Sequence, residues 1–162
     1  EFGQQREWAH EGQLDWPVLS QAGHAGLQQW VRDLNRLYRS EPALHRLDFS
    51  QEGFEWIDAS DVSNSVIAFL RKAPDDAFRL LVACNFTPVP RTNYVLGVPV
   101  GGRWLEVLNS DAALYGGAGW GNLGGVEAMP VAAHGRSWAL TLTLPPLAVV
   151  VLREALDDKA RG

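Results

Sequence analysis

The stretch Phe78–Arg91, FRLLVACNFTPVPR, constrains this chain most. Leu80-Leu81-Val82-Ala83-Cys84 is an unbroken apolar run closed by Asn85, Thr87 and Pro88. A short run of this kind, bounded by turn residues, reads as a strand buried on both faces. It cannot extend past Asn85. Pro88 and Pro90 have no backbone donor, and each drives the preceding residue into an extended conformation. A central strand therefore ends there and passes into a stiff connector. Cys84 is the only cysteine. It reads as a small core residue, and a lone cysteine fits a reducing compartment such as the cytoplasm.

The flanking pattern predicts more strands: 53–59, 65–72, 92–98, 102–109, 136–144 and 147–153. With the run at 78–85 they predict a mainly β chain folded as an antiparallel sandwich. Asp75-Asp76 reads as a hairpin turn, Pro145-Pro146 as a corner, and the residues after Arg153 as a charged, fraying tail. The segment 115–125, YGGAGWGNLGG, reads as a flexible loop. Gly119, Gly121 and Gly124 match G-x-G-x-x-G, but no helix follows and no βαβ unit surrounds them, so a dinucleotide site is not expected.

The part before residue 50 is different. Leu27, Trp30, Val31, Leu34, Leu37 and Tyr38 form one apolar stripe, which predicts a helix over 24–39 with Arg32, Asp33 and Arg36 outside and Pro42 ending it. Residues 1–23 show no sustained period and read as a long loop. Asp15 is a candidate cap for a short turn that has Pro17 inside it.

A chain of 162 residues buries roughly 70% of its extended surface and needs no staple. The net charge of −5 argues against nucleic acid and anionic membranes as partners. No apolar stretch approaches the roughly 18 residues of a membrane span. His10, His24, His45 and His134 lack ligand spacing, and neither a metal nor a cofactor is expected. Seven tryptophans mean heavy packing or sugar contacts, because indole faces stack on the C–H faces of pyranose rings. Trp30, Trp104 and Trp138 read as core. Trp56 either packs or lies exposed beside Phe54, since alternation puts the two on one strand face. Trp120 is a second candidate for exposure. Glu1, Glu7 and Glu11 are the only acids in a site-like setting. The start at Glu1-Phe2, without methionine and inside dense aromatic sequence, suggests a piece of something larger.

Several segments, in order, resemble bacterial 1,4-α-glucan (glycogen) branching enzymes. They are EFGQQREWAH at 1–10 with Leu14-Asp15-Trp16, Val31-Arg32-Asp33-Leu34-Asn35, Gly53-Phe54-Glu55-Trp56, Asn85-Phe86-Thr87-Pro88-Val89-Pro90-Arg91, Leu108-Asn109-Ser110-Asp111, and Leu142-Thr143-Leu144-Pro145-Pro146-Leu147. The resemblance implies membership of the α-amylase superfamily. Residues 1–46 would be the loop after the eighth strand and the final helix of a (β/α)8 barrel. Residues 47–155 would be the C-terminal all-β domain, of the α-amylase type, and 156–162 a charged tail. It implies α-glucan and the missing catalytic barrel as partners. The family's reaction moves an α-1,4-linked chain to a 6-hydroxyl by the retaining scheme of two carboxyl groups. Neither of these, nor the assisting Asp, maps onto this chain, so residues 1–162 alone are expected to be inactive. Glu1, Gln4 and Trp8 would border the glucan cleft, and Trp56 with Phe54 would contact glucan elsewhere. The alternative is a stand-alone carbohydrate-binding or scaffold β-sandwich.

Overall fold

A computed structural model describes residues 1–74 and 78–155. The turn at Asp75-Asp76 and the tail 156–162 lie outside the described residues. The elements are α1 (Ala22–Ser40) and eight strands: β1 (Phe54–Asp61), β2 (Val66–Lys72), β3 (Arg79–Asn85), β4 (Arg91–Val98), β5 (Gly102–Asn109), β6 (Gly125–Ala128), β7 (Trp138–Leu144) and β8 (Ala148–Glu154). Single 3-10 turns lie at Trp16–Ser20, Pro42–Leu44, Gln51–Gly53 and Ala113–Tyr115. Asp15 takes the N-cap position of the turn Trp16–Ser20, but its side chain makes no capping bond. The strand β6 was not expected from sequence.

The strands form a six-stranded sheet in the order β1-β2-β3-β8-β5-β6 and a two-stranded sheet, β4-β7. All pairings are antiparallel. The apolar run of β3 divides by alternation. Leu81 and Ala83 enter the core between the sheets, where Leu96, Val98, Leu140, Leu142 and Leu144 meet Leu70, Trp104, Val150 and Leu152. Leu80 and Val82 face the other way, into a second cluster on the outer side of the large sheet. Cys84 lies on that outer side too. It is half-buried rather than part of the core, and burial pushes its thiol pKa up. The corner at Pro145-Pro146 carries the chain from one sheet to the other.

The helix α1 covers the outer side over β3, β8 and β5. Trp30 and Leu37 pack into the outer cluster. Trp30 meets Tyr115 edge-on at 5.1 Å. The approach is close enough that a Cβ on Gly26 would sit 2.5 Å from the Tyr115 carbonyl oxygen. The predicted stripe is thereby split, with Leu27, Leu34 and Tyr38 left exposed. Asp33, expected outside, instead accepts hydrogen bonds from the Tyr115 hydroxyl (2.9 Å) and Gln29 (2.8 Å). The Gln29 bond leads in holding its pKa low, and the tyrosine is pushed up to about 12 by burial and by this carboxylate. Buried Glu41, just beyond the helix, accepts a 2.7 Å bond from Arg153 on β8. Arg71 reaches the Gly53 and Leu44 carbonyls and the Asp48 carboxylate, and so fastens the link from helix to sandwich.

The turn at 133–136 bridges the two sheets. His134 and Gly135 both have positive φ, 49° and 72°, as a primed two-residue turn requires. The Gly97 N–H on β4 donates to His134 Nδ1 (3.1 Å), and Nε2 of the same ring lies 3.5 Å from Asp58 on β1. Arg136 donates to Glu55 and to the Trp56 carbonyl. Strand β1 carries three carboxylates whose pKa values are lowered. Asp61 is lowered chiefly by the Tyr94 hydroxyl and Asp58 by the Ser60 N–H. For Glu55, burial opposes ionisation, but bonds from Arg136 and Lys72 outweigh it. Depressed carboxylates stabilise the folded state above their ordinary values and lose that contribution as pH falls through the folded ones. Melting temperature is therefore expected to decline as pH drops below the ordinary values of 4.5 for Glu and 3.8 for Asp. Thermal melts across this range check it. Stability that rises on acidification would contradict the arrangement.

Candidate functional site

The structure gathers the expected contact residues into two places. The first is a groove of about 650 Å³ where residues 1–16 lie against the start of α1. Glu1, Gln4 and Trp8 all line it, together with Arg6, Trp16 and Gln28. Its floor is set by Phe2, which is buried and packs on the Trp16 ring at 5.3 Å. The Phe2 carbonyl accepts a 2.8 Å bond from His24 Nδ1 on α1, which fixes the protonated nitrogen of that ring. Gln4 spends its amide on the loop itself: Nε2 donates to the Arg6 carbonyl and Oε1 accepts from the Asp15 N–H. The groove therefore has a braced wall and one free aromatic, since Trp8 is 74% exposed. Trp8, Arg6 and Gln28 give it the mix that sugars need, an indole face beside hydrogen-bond donors.

The second place is the outer side of β1 and β2, beyond the edge of α1. Here Phe54, Trp56 and Phe69 form a triad. Phe54 stacks on Phe69 at 5.2 Å, and Trp56 stands edge-on to both, at 4.8 and 5.8 Å. Ile57, next to Trp56, points into the core, so the indole must point away from it. Trp56 is 51% exposed. Phe54, expected beside it, is also exposed and touches both of the other rings. Sequence reasoning missed Phe69. The hairpin register would have found it, because Trp56 pairs directly with Phe69 across β1 and β2. The triad has a rigid back. Glu55, the other neighbour of Trp56, is held by Arg136 and by Lys72.

Neither place carries a pair of carboxylates arranged for acid-base work, and no group of three or more potential metal ligands occurs among the described residues. No helix among them is long and apolar enough to cross a membrane. The arrangement can hold a ligand with C–H faces and hydroxyl edges.

Residues 56–155 match the family of the alpha amylase C-terminal all-beta domain. The chain is 63% identical to the 1,4-alpha-glucan branching enzyme GlgB of Aromatoleum aromaticum over 98% of its own length and 25% of that protein. It is 56% identical to the enzyme of the same name from Aquifex aeolicus, over 94% of the chain and 24% of the relative. For that of Pseudomonas putida the figures are 52%, 96% and 21%. The chain thus spans about a quarter of the length of these curated relatives.

Proposed function

Because the chain belongs to the family of the alpha amylase C-terminal all-beta domain, we propose that it serves as the carboxy-terminal part of a cytoplasmic 1,4-alpha-glucan branching enzyme. In this reading residues 1–46 are the last loop and helix of the catalytic barrel, and residues 47–155 brace that barrel and hold α-glucan. The observation that carries the reading is the similarity to branching enzymes along nearly the whole chain, not only along the sandwich. Transfer itself, from an α-1,4 link to a 6-hydroxyl, is left to carboxyl groups outside residues 1–162. The partners are glycogen, amylose or maltooligosaccharides and the barrel of the same protein, with no part for nucleic acid or membrane.

The two places divide the work. Trp8, Glu1 and Gln4 border the cleft where the chain is cut and transferred, since active sites of such barrels lie on the face built by the βα loops. Trp56 holds the polymer at a distance and raises its local concentration at the cleft. The strand ladder under Trp56 suits this, because a pre-positioned aromatic loses little freedom on binding.

Kinetics of the full-length enzyme test the division. Trp8→Ala is expected to lower the turnover of α-1,6 linkage formation by about 10-fold, and by more than Trp16→Ala does. Trp56→Ala is expected to raise the amylose concentration needed for half-maximal rate while leaving turnover nearly intact. Its stability cost should be about 1 kcal/mol, the worth of the two edge contacts it gives up. A loss of about 3–5 kcal/mol with unchanged glucan affinity would show that Trp56 is packing rather than a platform. Equal effects of Trp8→Ala and Trp16→Ala would remove Trp8 from the cleft.

A further inference from the structure

The glycine-rich segment 115–125 reads from sequence as a flexible loop. The structure shows it held by side chains. Asp111 accepts from the Ala118 N–H (3.0 Å) and, through its other oxygen, from the Trp120 N–H (2.9 Å). The Asp111 carbonyl takes the Gly119 N–H at 2.8 Å. Asn109 donates to the Trp120 carbonyl at 2.7 Å, so both backbone groups of Trp120 are fixed. Two residues on, Asn122 donates its backbone N–H and its side-chain nitrogen to the Glu106 carboxylate, and its amide also exchanges two bonds with the Thr143 backbone on β7.

This bracing ends in a bare indole. Trp120 is 45% exposed. Trp16, Trp30 and Trp56 each lean on another ring, whereas Trp120 meets none among the described residues. Both its sequence neighbours are glycine, so neither of them contributes a side chain that could cover the ring. Gly121 cannot be larger, since a Cβ there would lie 2.6 Å from the Asn109 side-chain nitrogen. Gly121 thus makes room for the Asn109 and Glu106 side chains that hold the loop, and Gly119 takes a positive φ of 83°.

We propose that Trp120 is a second α-glucan platform, stacking its indole on a pyranose ring at the end of the sandwich opposite Trp56; the proposal rests on the glucan reading above. The loop joins β5 to β6, while Trp56 stands on β1, the far edge of the same sheet. Four strand spacings separate β1 from β5, about 19 Å. A polymer spans that distance and gains from two simultaneous contacts, while a short oligosaccharide engages one.

Affinity electrophoresis of the full-length protein through gels with and without glycogen tests this, with wild type, Trp120→Ala, Trp120→Phe and Trp56→Ala side by side. Trp120→Ala is expected to weaken retardation by glycogen about 3–10-fold and maltotriose binding by less than about twofold. Trp120→Phe should keep most of the affinity, and both variants should melt within about 2 °C of wild type. If Trp56→Ala weakens retardation and Trp120→Ala does not, the platform at Trp120 is overturned while the glucan reading stands. The platform is equally overturned if Trp120→Phe fails along with Trp120→Ala and both melt early, because the indole is then structural. A wild-type protein that glycogen does not retard overturns the glucan reading and this inference with it.

Discussion

Trp104→Ala is expected to cost about 3–5 kcal/mol of stability. Trp104 sits on β5 with no exposed surface, and it is the largest fully buried side chain of the core. It lies where the six-stranded and two-stranded sheets face each other, with Val100, Val126 and Trp138 packed around the same cluster. Its removal leaves a cavity that rigid strands on both sides cannot close. A domain holds only about 5–15 kcal/mol in all, so much of the fold's margin goes with one side chain. Trp104→Phe is expected to be far milder, within about 1.5 kcal/mol. The indole Nε1 is buried without a hydrogen-bond partner among the described residues, and phenylalanine abolishes that donor as it gives up volume. Urea titrations of the two variants check the contrast. Both variants delete that donor, so the contrast reads the cavity, and equal losses would mean that the volume left empty does not set the cost.

The second large effect is expected at Asn85, a buried polar residue at the end of β3. Its amide nitrogen donates to the Val89 carbonyl (2.8 Å) and the Pro145 carbonyl (2.9 Å). Its oxygen accepts from the N–H and the hydroxyl of Thr87 (3.0 and 2.8 Å). One side chain thus ties the end of the central strand, the proline-rich connector and the corner between the sheets. Asn85→Ala is expected to cost about 3 kcal/mol, counting the net bonds lost and the Pro145 carbonyl left without a partner. Asn85→Asp keeps the acceptor but sets a carboxylate against two carbonyl oxygens, so it should be at least as damaging. A loss below about 1 kcal/mol in either variant would show that water replaces the amide at little cost.

These two residues illustrate what the sequence could reveal. The apolar run at 80–84 and the prolines beyond it announce a strand and its abrupt end, because burial and a missing backbone donor are local properties. Asn85 as the tie across that end is not local: its partners are up to 60 residues away. The helix was legible from its stripe, but its docking face was not. Gly26 and Asp33 mattered as much as the leucines, since they allow the close approach to Tyr115. Strand β6 escaped notice because four residues, GVEA, give too short a period and follow a run of glycines. That run misled in a second way. Glycine content reports backbone freedom in the unfolded chain, while the order of the folded loop comes from Asp111, Asn109, Glu106 and Asn122, whose reach depends on the sheet. Of the residues proposed to meet glucan, Trp8, Trp56 and Phe54 are exposed aromatics, while the bonds from Gln4 to Arg6 and Asp15 depend on a loop path that the sequence does not show. Phe69 required the hairpin register.

The order of the large sheet carries a consequence for synthesis. Its fourth position belongs to β8, the last strand in sequence, which pairs with β3 on one side and β5 on the other. A ribosome therefore delivers the β1-β2-β3 meander and the β5-β6 hairpin before the strand that joins them. Until β8 emerges, each half presents a bare backbone edge at what will be the middle of the sheet, open to pairing with another chain. Early folding is confined to local hairpins, and the sandwich closes in one late step, when Val149 to Leu152 slide between the waiting strands.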